Sequence, residues 1–209
     1  MKQNIRKIMK WITLFVCLIG FIFLAEKVYS KEIMKLDIWG YKLISTYLIS
    51  DFATPIAKLI TCFGGVIFLV SFSILSIILI KNKKIGISID SNLVIVSVLN
   101  ITLKQILQRP RPNELRFINE SGYSFPSGHS MISAAFYGLI IYLIHKYVKN
   151  KYVKWILTII LSILIVSIGI SRIYLGVHYT SDVLAGFLVA ISYLVIYITV
   201  IKKFILERD

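Results

Sequence analysis

Ser171-Arg172-Ile173-Tyr174-Leu175-Gly176-Val177-His178-Tyr179-Thr180-Ser181-Asp182 joins two long apolar runs. It places an arginine, a histidine and a carboxylate in a chain otherwise rich in Ile, Leu and Val. About 20 apolar residues cross a bilayer core as a helix, and the runs on either side read as two such crossings. His178 and Asp182 are four apart, so one face of a helix would hold both. A carboxylate behind a histidine fixes the imidazole tautomer and stabilises its cation. Arg172 offers a planar fork of donors that suits phosphate.

The same texture extends over the whole chain. Of its 209 residues 57% are hydrophobic, and the mean hydropathy is +0.81, against about 45–50% apolar in soluble domains. The excess gathers into six runs, at about 8–25, 54–80, 88–108, 126–144, 155–170 and 180–200. The expected fold is therefore all-α: an integral membrane bundle of six transmembrane helices, one domain over 1–209. There is no internal repeat or linker. The first run reads as an uncleaved helix, because no small-x-small site follows it at 26–30. Residues 36–45, with Trp39 and Tyr41, fit an interfacial helix over the bundle mouth or equally a plain connection. Thr54 before Pro55 is expected to cap the second span, and Thr180 or Ser181 the sixth. The alternate prolines of Arg109-Pro110-Arg111-Pro112 end the third. Cys17 and Cys62 read as small hydrophobes packed among helices.

The formal charge of +14 does not point to nucleic acid, because the basic residues flank apolar spans. Fourteen of the 24 Lys and Arg lie in the two terminal segments and the turns at 81–84 and 146–154. An even number of spans puts these on one side, and the positive-inside bias makes that side cytoplasmic. The opposite, extracytoplasmic end receives three clusters: Lys104 with Arg111, then Ser127-Gly128-His129, then Arg172 with His178 and Asp182.

Ionisable groups at membrane depth are costly and mark function. Three converging cations need an anion, and phosphate is the natural one. Lys104 and Arg111 are seven apart and share a face if their helix continues that far. Ser127, Gly128 and His129 start a helix, whose free N–H groups suit an anion. Two histidines at a phosphate pocket divide the labour. His178, backed by Asp182, would attack phosphorus, and His129 would serve the leaving oxygen and then the water. Lys104, Arg111 and Arg172 would hold the non-bridging oxygens. No metal or other cofactor is expected, since no Asp/Glu/His cluster is left over to bind one. Arg109 reads equally as an interfacial charge or as part of the site. Arg116 and His145 read as interfacial, and Glu114 and Glu120 as two loop carboxylates too few to argue a site. No small-x3-small face argues a dimer, so the oligomeric state is open.

Lys104-x6-Arg111-Pro112, Pro126-Ser127-Gly128-His129 and Ser171-Arg172-x5-His178-x3-Asp182 together resemble the three-part signature of the type 2 phosphatidic acid phosphatase superfamily. The resemblance covers about residues 88–200. It implies His178 as nucleophile, Asp182 as its partner and His129 as acid and base. It implies Lys104, Arg111, Ser127, Gly128 and Arg172 as phosphate ligands. It also implies metal-independent dephosphorylation of a lipid phosphate at the outer face. Bacterial membrane members that act on phosphatidylglycerophosphate and undecaprenyl diphosphate are similar over the whole chain. A different reading is a non-enzymatic anion transporter or scaffold, but the sequence shows none of the paired, broken helices in corresponding halves that transporters have.

Overall fold

The computed structural model describes residues 2–32, 34–113 and 116–203. Among them the regular structure is entirely helical. The helices are α1 (Lys2–Tyr29), α2 (Lys35–Tyr47), α3 (Ala53–Cys62), α4 (Val66–Leu79), α5 (Lys83–Leu107), α6 (Gly128–Tyr147), α7 (Lys151–Tyr174) and α8 (Thr180–Ile201). Most of α1, and α5 to α8 whole, are long and apolar enough to cross a membrane. The pair α3 and α4, bent by 42°, makes a sixth crossing if taken as one span. Ile67, Ile78, Ile95 and Ile163 point outward and are exposed, an arrangement that suits lipid and not water. This is a multi-pass membrane protein.

The expected straight second span is broken at Phe63-Gly64-Gly65. Their N–H groups reach carbonyls three residues back, on Ile60, Thr61 and Cys62, at 3.2, 3.0 and 3.0 Å, which tightens and ends a helix. The Tyr137 hydroxyl of α6 donates to the Phe63 carbonyl at 2.7 Å. A Cβ on Gly64 would lie 2.8 Å from Ile168 and 3.4 Å from the His129 ring. The break thus seats the chain against α6 and α7 beside His129.

Other boundaries differ for local reasons. α5 starts at Lys83, earlier than expected, because the Asn82 side chain accepts from the Lys84 N–H at 3.0 Å. It ends at Leu107, with Gln108 left-handed at φ 44°. Lys104 and Arg111 therefore do not share a helical face. Thr54 does not cap α3: the Ser50 hydroxyl accepts the Ala53 N–H at 3.1 Å, and Thr54 donates to the Ser50 carbonyl. Tyr179 occupies the cap position of α8, and the Asp182 carboxylate accepts its N–H at 2.8 Å. Cys17 is buried as expected, but Cys62, at the last turn of α3, is exposed.

α6 is the central helix, packed on α5, α7 and α8, with α1 behind α8. α2 lies across the C-terminal end of α7 and the N-terminal end of α8. Its Asp37, Gly40 and Ile44 are buried, while Ile38, Trp39, Leu43 and Tyr47 are exposed. This is the amphipathic helix over the bundle mouth, not the plain connection.

Candidate active site

Four helix ends meet beneath α2: the C-terminal ends of α5 and α7 and the N-terminal ends of α6 and α8. His178 lies in the short turn between α7 and α8. Its Nδ1 is 3.3 Å from Asp182 Oδ2, and its Nε2 is 3.2 Å from the Arg111 guanidinium. A guanidinium can only donate, so Nε2 accepts and Nδ1 carries the proton toward Asp182. Burial pushes the His178 imidazole down to about 4, despite the opposing pull of Asp182. At neutral pH it is uncharged, with the Nε2 lone pair directed at Arg111.

Asp182 is fully buried and its two oxygens are divided. Oδ2 accepts from His178, from the Tyr179 N–H and, through a short bond, from the Ser124 hydroxyl. Oδ1 accepts from Arg109 at 2.6 Å. The α8 backbone is tied to the start of α6 by the Ser127 N–H, which donates to the Asp182 carbonyl at 3.0 Å.

The cations arrive from three directions. Arg172, at the end of α7 and 1% exposed, donates to Thr61 of α3 at 2.7 Å and to Glu120 at 2.5 Å. Its Nε is buried without a partner. Arg111 is held by the carbonyls of Ser121, Gly122 and Val177 at 2.9–3.0 Å, with Glu120 Oε2 at 4.0 Å. Lys104 reaches the carbonyls of Tyr123 and Ser124. Residues 121–125 thus fold back over the end of α5, and they do what helical continuation was expected to do by holding both Lys104 and Arg111. Burial resists the charge on Glu120, but Arg172 outweighs it and holds the carboxyl below its usual range.

Ser127 is fully buried at the α6 cap position, and its hydroxyl accepts from Ser130 at 3.0 Å without capping the helix. Gly128 and His129 open α6, beside Asn100 of α5 and Gly64 respectively. The structure therefore gathers Lys104, Arg111, Ser127, Gly128, His129, Arg172, His178 and Asp182 at one end of the bundle. His145 is at the other end of α6, 2.9 Å from Thr158.

Sequence reasoning left Arg109 open and did not single out Glu120, Ser124, Asp37 or Thr61. Arg109 is not an interfacial charge: it sits between Asp37 and Asp182. Glu120 is not an idle loop carboxylate; three cations without a nearby counter-charge were the available signal for it. Glu114 lies outside the described residues. Asp37 and Thr61 come from helices with no motif. A cavity of about 1110 Å³ opens beside these groups, between α2, the end of α1 and the end of α5. Its walls include Val28, Ile38, Lys42, Leu107, Arg109 and His178.

A helical membrane bundle that closes one end around three cations and two histidines defines a membrane-embedded anion site. The chain belongs to the PAP2 superfamily, whose model matches residues 86–206. It is 45% identical to phosphatidylglycerophosphatase B of Bacillus subtilis (strain 168) over 92 residues, 43% of this chain and 45% of that one. The chain thus aligns with less than half the length of that relative. It is 29% identical to an undecaprenyl-diphosphatase of Sulfolobus acidocaldarius over 88% of this chain and 86% of that one. The crystal structure of a transmembrane PAP2-type phosphatidylglycerolphosphate phosphatase from Bacillus subtilis is similar with a TM-score of 0.80 at 26% identity. That match covers 94% of this chain and 99% of the other.

Proposed function

We propose that this protein hydrolyses the terminal phosphate of a membrane lipid, with His178 as nucleophile. One observation carries this: a buried histidine with Nδ1 facing Asp182 and Nε2 facing Arg111, at the wall of a large cavity in a membrane bundle. His178 Nε2 attacks phosphorus in line while the bond from phosphorus to the lipid oxygen breaks. His129, protonated once the charge of the bound phosphate lies beside it, gives that proton to the departing oxygen, and then takes one from the water that cleaves the phosphorus–nitrogen bond. Inorganic phosphate leaves and His178 is restored. Lys104, Arg111 and Arg172 hold the non-bridging oxygens, with the Ser127 hydroxyl and the first N–H groups of α6 beside them. A phosphate placed there competes with Glu120 for Arg111 and Arg172.

The substrate class follows from relatives named for phosphatidylglycerophosphate and undecaprenyl diphosphate. The cavity walls give room for an apolar chain beside the head group. Purified protein in detergent is expected to release phosphate from one of phosphatidylglycerophosphate, undecaprenyl diphosphate or phosphatidate with EDTA present. Transport of these lipids across liposomes without phosphate release would favour the transporter reading instead.

The site faces outward in this reading, and the termini face the cytoplasm, from the charge bias of the flanking segments. A single cysteine introduced at Asn119, which is exposed, in a C17S/C62S background is expected to react with an impermeant maleimide on intact cells. Reaction only after lysis would reverse the orientation.

A further inference from the structure

Arg109 is two residues from Arg111, yet it turns away from the phosphate ligands. One guanidinium nitrogen donates to Asp182 Oδ1 at 2.6 Å and to the Ser181 hydroxyl at 2.7 Å. The other donates to Asp37 Oδ2 at 2.7 Å. Its plane lies over the Tyr179 ring, 3.9 Å from the centroid. Asp37 is 5% exposed and comes from α2. Its Oδ1 accepts the Ser181 N–H at 2.8 Å, and its Oδ2 accepts the Ser181 hydroxyl at 2.9 Å. An α2 carboxylate thereby satisfies a free N–H in the first turn of α8, where negative charge is favoured. Gly40 makes the approach possible, since any side chain there would collide with Thr180.

Buried ion pairs are costly to assemble and more costly to break on one side. A pair kept only to dock α2 could end at Ser181. Here the fork extends one bond further, to the carboxylate that faces His178. Fixing Oδ1 leaves Oδ2 as the oxygen presented to Nδ1, and a cation 2.6 Å away restrains how strongly Asp182 draws the imidazole proton.

We propose that Asp37 and Arg109 are positioning residues for the His178–Asp182 pair, so that α2, a helix outside the matched family region, sets the geometry of the nucleophile. The inference rests on the phosphatase reading above. Neither residue touches the phosphate. Their effect runs through the orientation of Asp182 and through its charge. Without the Arg109 cation, Asp182 is more basic and stabilises the imidazolium of His178. The neutral nucleophile is then lost at a higher pH.

The test compares the full-length parent with R109Q, R109K and D37N in the same detergent, on one lipid phosphate, over the acid half of the pH profile. Folded protein is counted by size-exclusion chromatography and thermal unfolding. Misplacing a reacting group by about an ångström costs about 10²-fold, so R109Q is expected to lose about that much in kcat, and D37N about tenfold. Both residues also line the cavity, so the loss is expected to be larger in kcat than in KM, as for an interaction felt in the transition state. The acid limb of kcat/KM is expected to move toward neutrality in R109Q. R109K, which keeps the charge but not the fork, is expected to lose kcat with its limb near the parent's. The other titratable and charged groups facing the pair are Lys104 on α5, His129 on α6, Arg172 on α7, and Arg111 and Glu120 between α5 and α6. They are common to all four proteins, so the difference between limbs reports the Arg109 charge. An active parent whose variants keep its kcat per folded molecule and its limb would overturn this inference alone. A parent that releases no phosphate would overturn both the inference and the phosphatase reading.

Discussion

Replacing His178 with alanine is expected to lower phosphate release by about 10⁴-fold or more, the scale seen when a nucleophile is removed from an otherwise intact constellation. The reasoning starts from the imidazole. It is buried, uncharged at neutral pH and held in one tautomer, with Nδ1 toward Asp182 and Nε2 free of a proton. A phosphoryl acceptor needs that lone pair. No other group can take over: His129 is held in the first turn of α6 against Gly64, and Asp182 is fully buried with both oxygens occupied. Arg111, Arg172 and Lys104 survive the substitution, so lipid phosphate should still bind. The loss is therefore expected in kcat, with KM changed by no more than severalfold. A second readout is independent of turnover. Brief exposure to ³²P-labelled lipid and an alkaline quench should leave label on the wild-type protein and none on H178A. Activity of H178A within tenfold of wild type, or label retained on it, would remove His178 from the nucleophile's role.

The second large effect is expected from Arg172→Lys. Charge is conserved, yet kcat/KM is expected to fall by about 10²–10³-fold, the cost of losing one well-aimed transition-state donor. Arg172 spans two elements with its fork: one arm on Thr61 of α3, the other on Glu120. A lysine has a single donor centre on a shorter reach and cannot serve both. Its Nε is already buried without a partner, so this guanidinium keeps a donor in reserve at the site. Losing the fork also leaves Glu120 less well matched, and a loose carboxylate beside the phosphate repels it. Steady-state kinetics of R172K, with thermal unfolding as a control for folding, would decide the matter. A loss under about threefold would show that any cation suffices there.

Much of the arrangement was legible because hydropathy and motif spacing report on different things. Apolar runs located α1 and α5 to α8, since a bilayer demands length and continuity. The three motifs carried the residues that gather at one end, because their positions at helix ends fix where they face. What escaped depends on contacts between distant segments. The bend at Gly64 lies inside an unbroken apolar run, where hydropathy is blind to a turn held by Tyr137 on another helix. The end of α5 at Leu107 converted Arg111 from a helical neighbour of Lys104 into a loop residue, although both still reach the site. Arg109 could be assigned only once its two carboxylates were known, and they are 72 and 73 residues away in opposite directions. Asp37 and Thr61 carry no motif at all.

Those last two residues bear on how such a protein diverges. The region matched by the family, 86–206, contains every residue proposed as a phosphate ligand and both histidines of the site. Thr61 braces one of those ligands from outside that region, and α1 and α2 supply much of the cavity wall. A chimera that kept 86–206 and took its first third from a relative would exchange the walls that meet the lipid, and would keep its chemistry only if the incoming segment also supplied the Asp37 and Thr61 contacts. The first third of the gene therefore serves both the cavity wall and the bracing of the site, so a change made there for substrate range has to leave the Asp37 and Thr61 contacts in place.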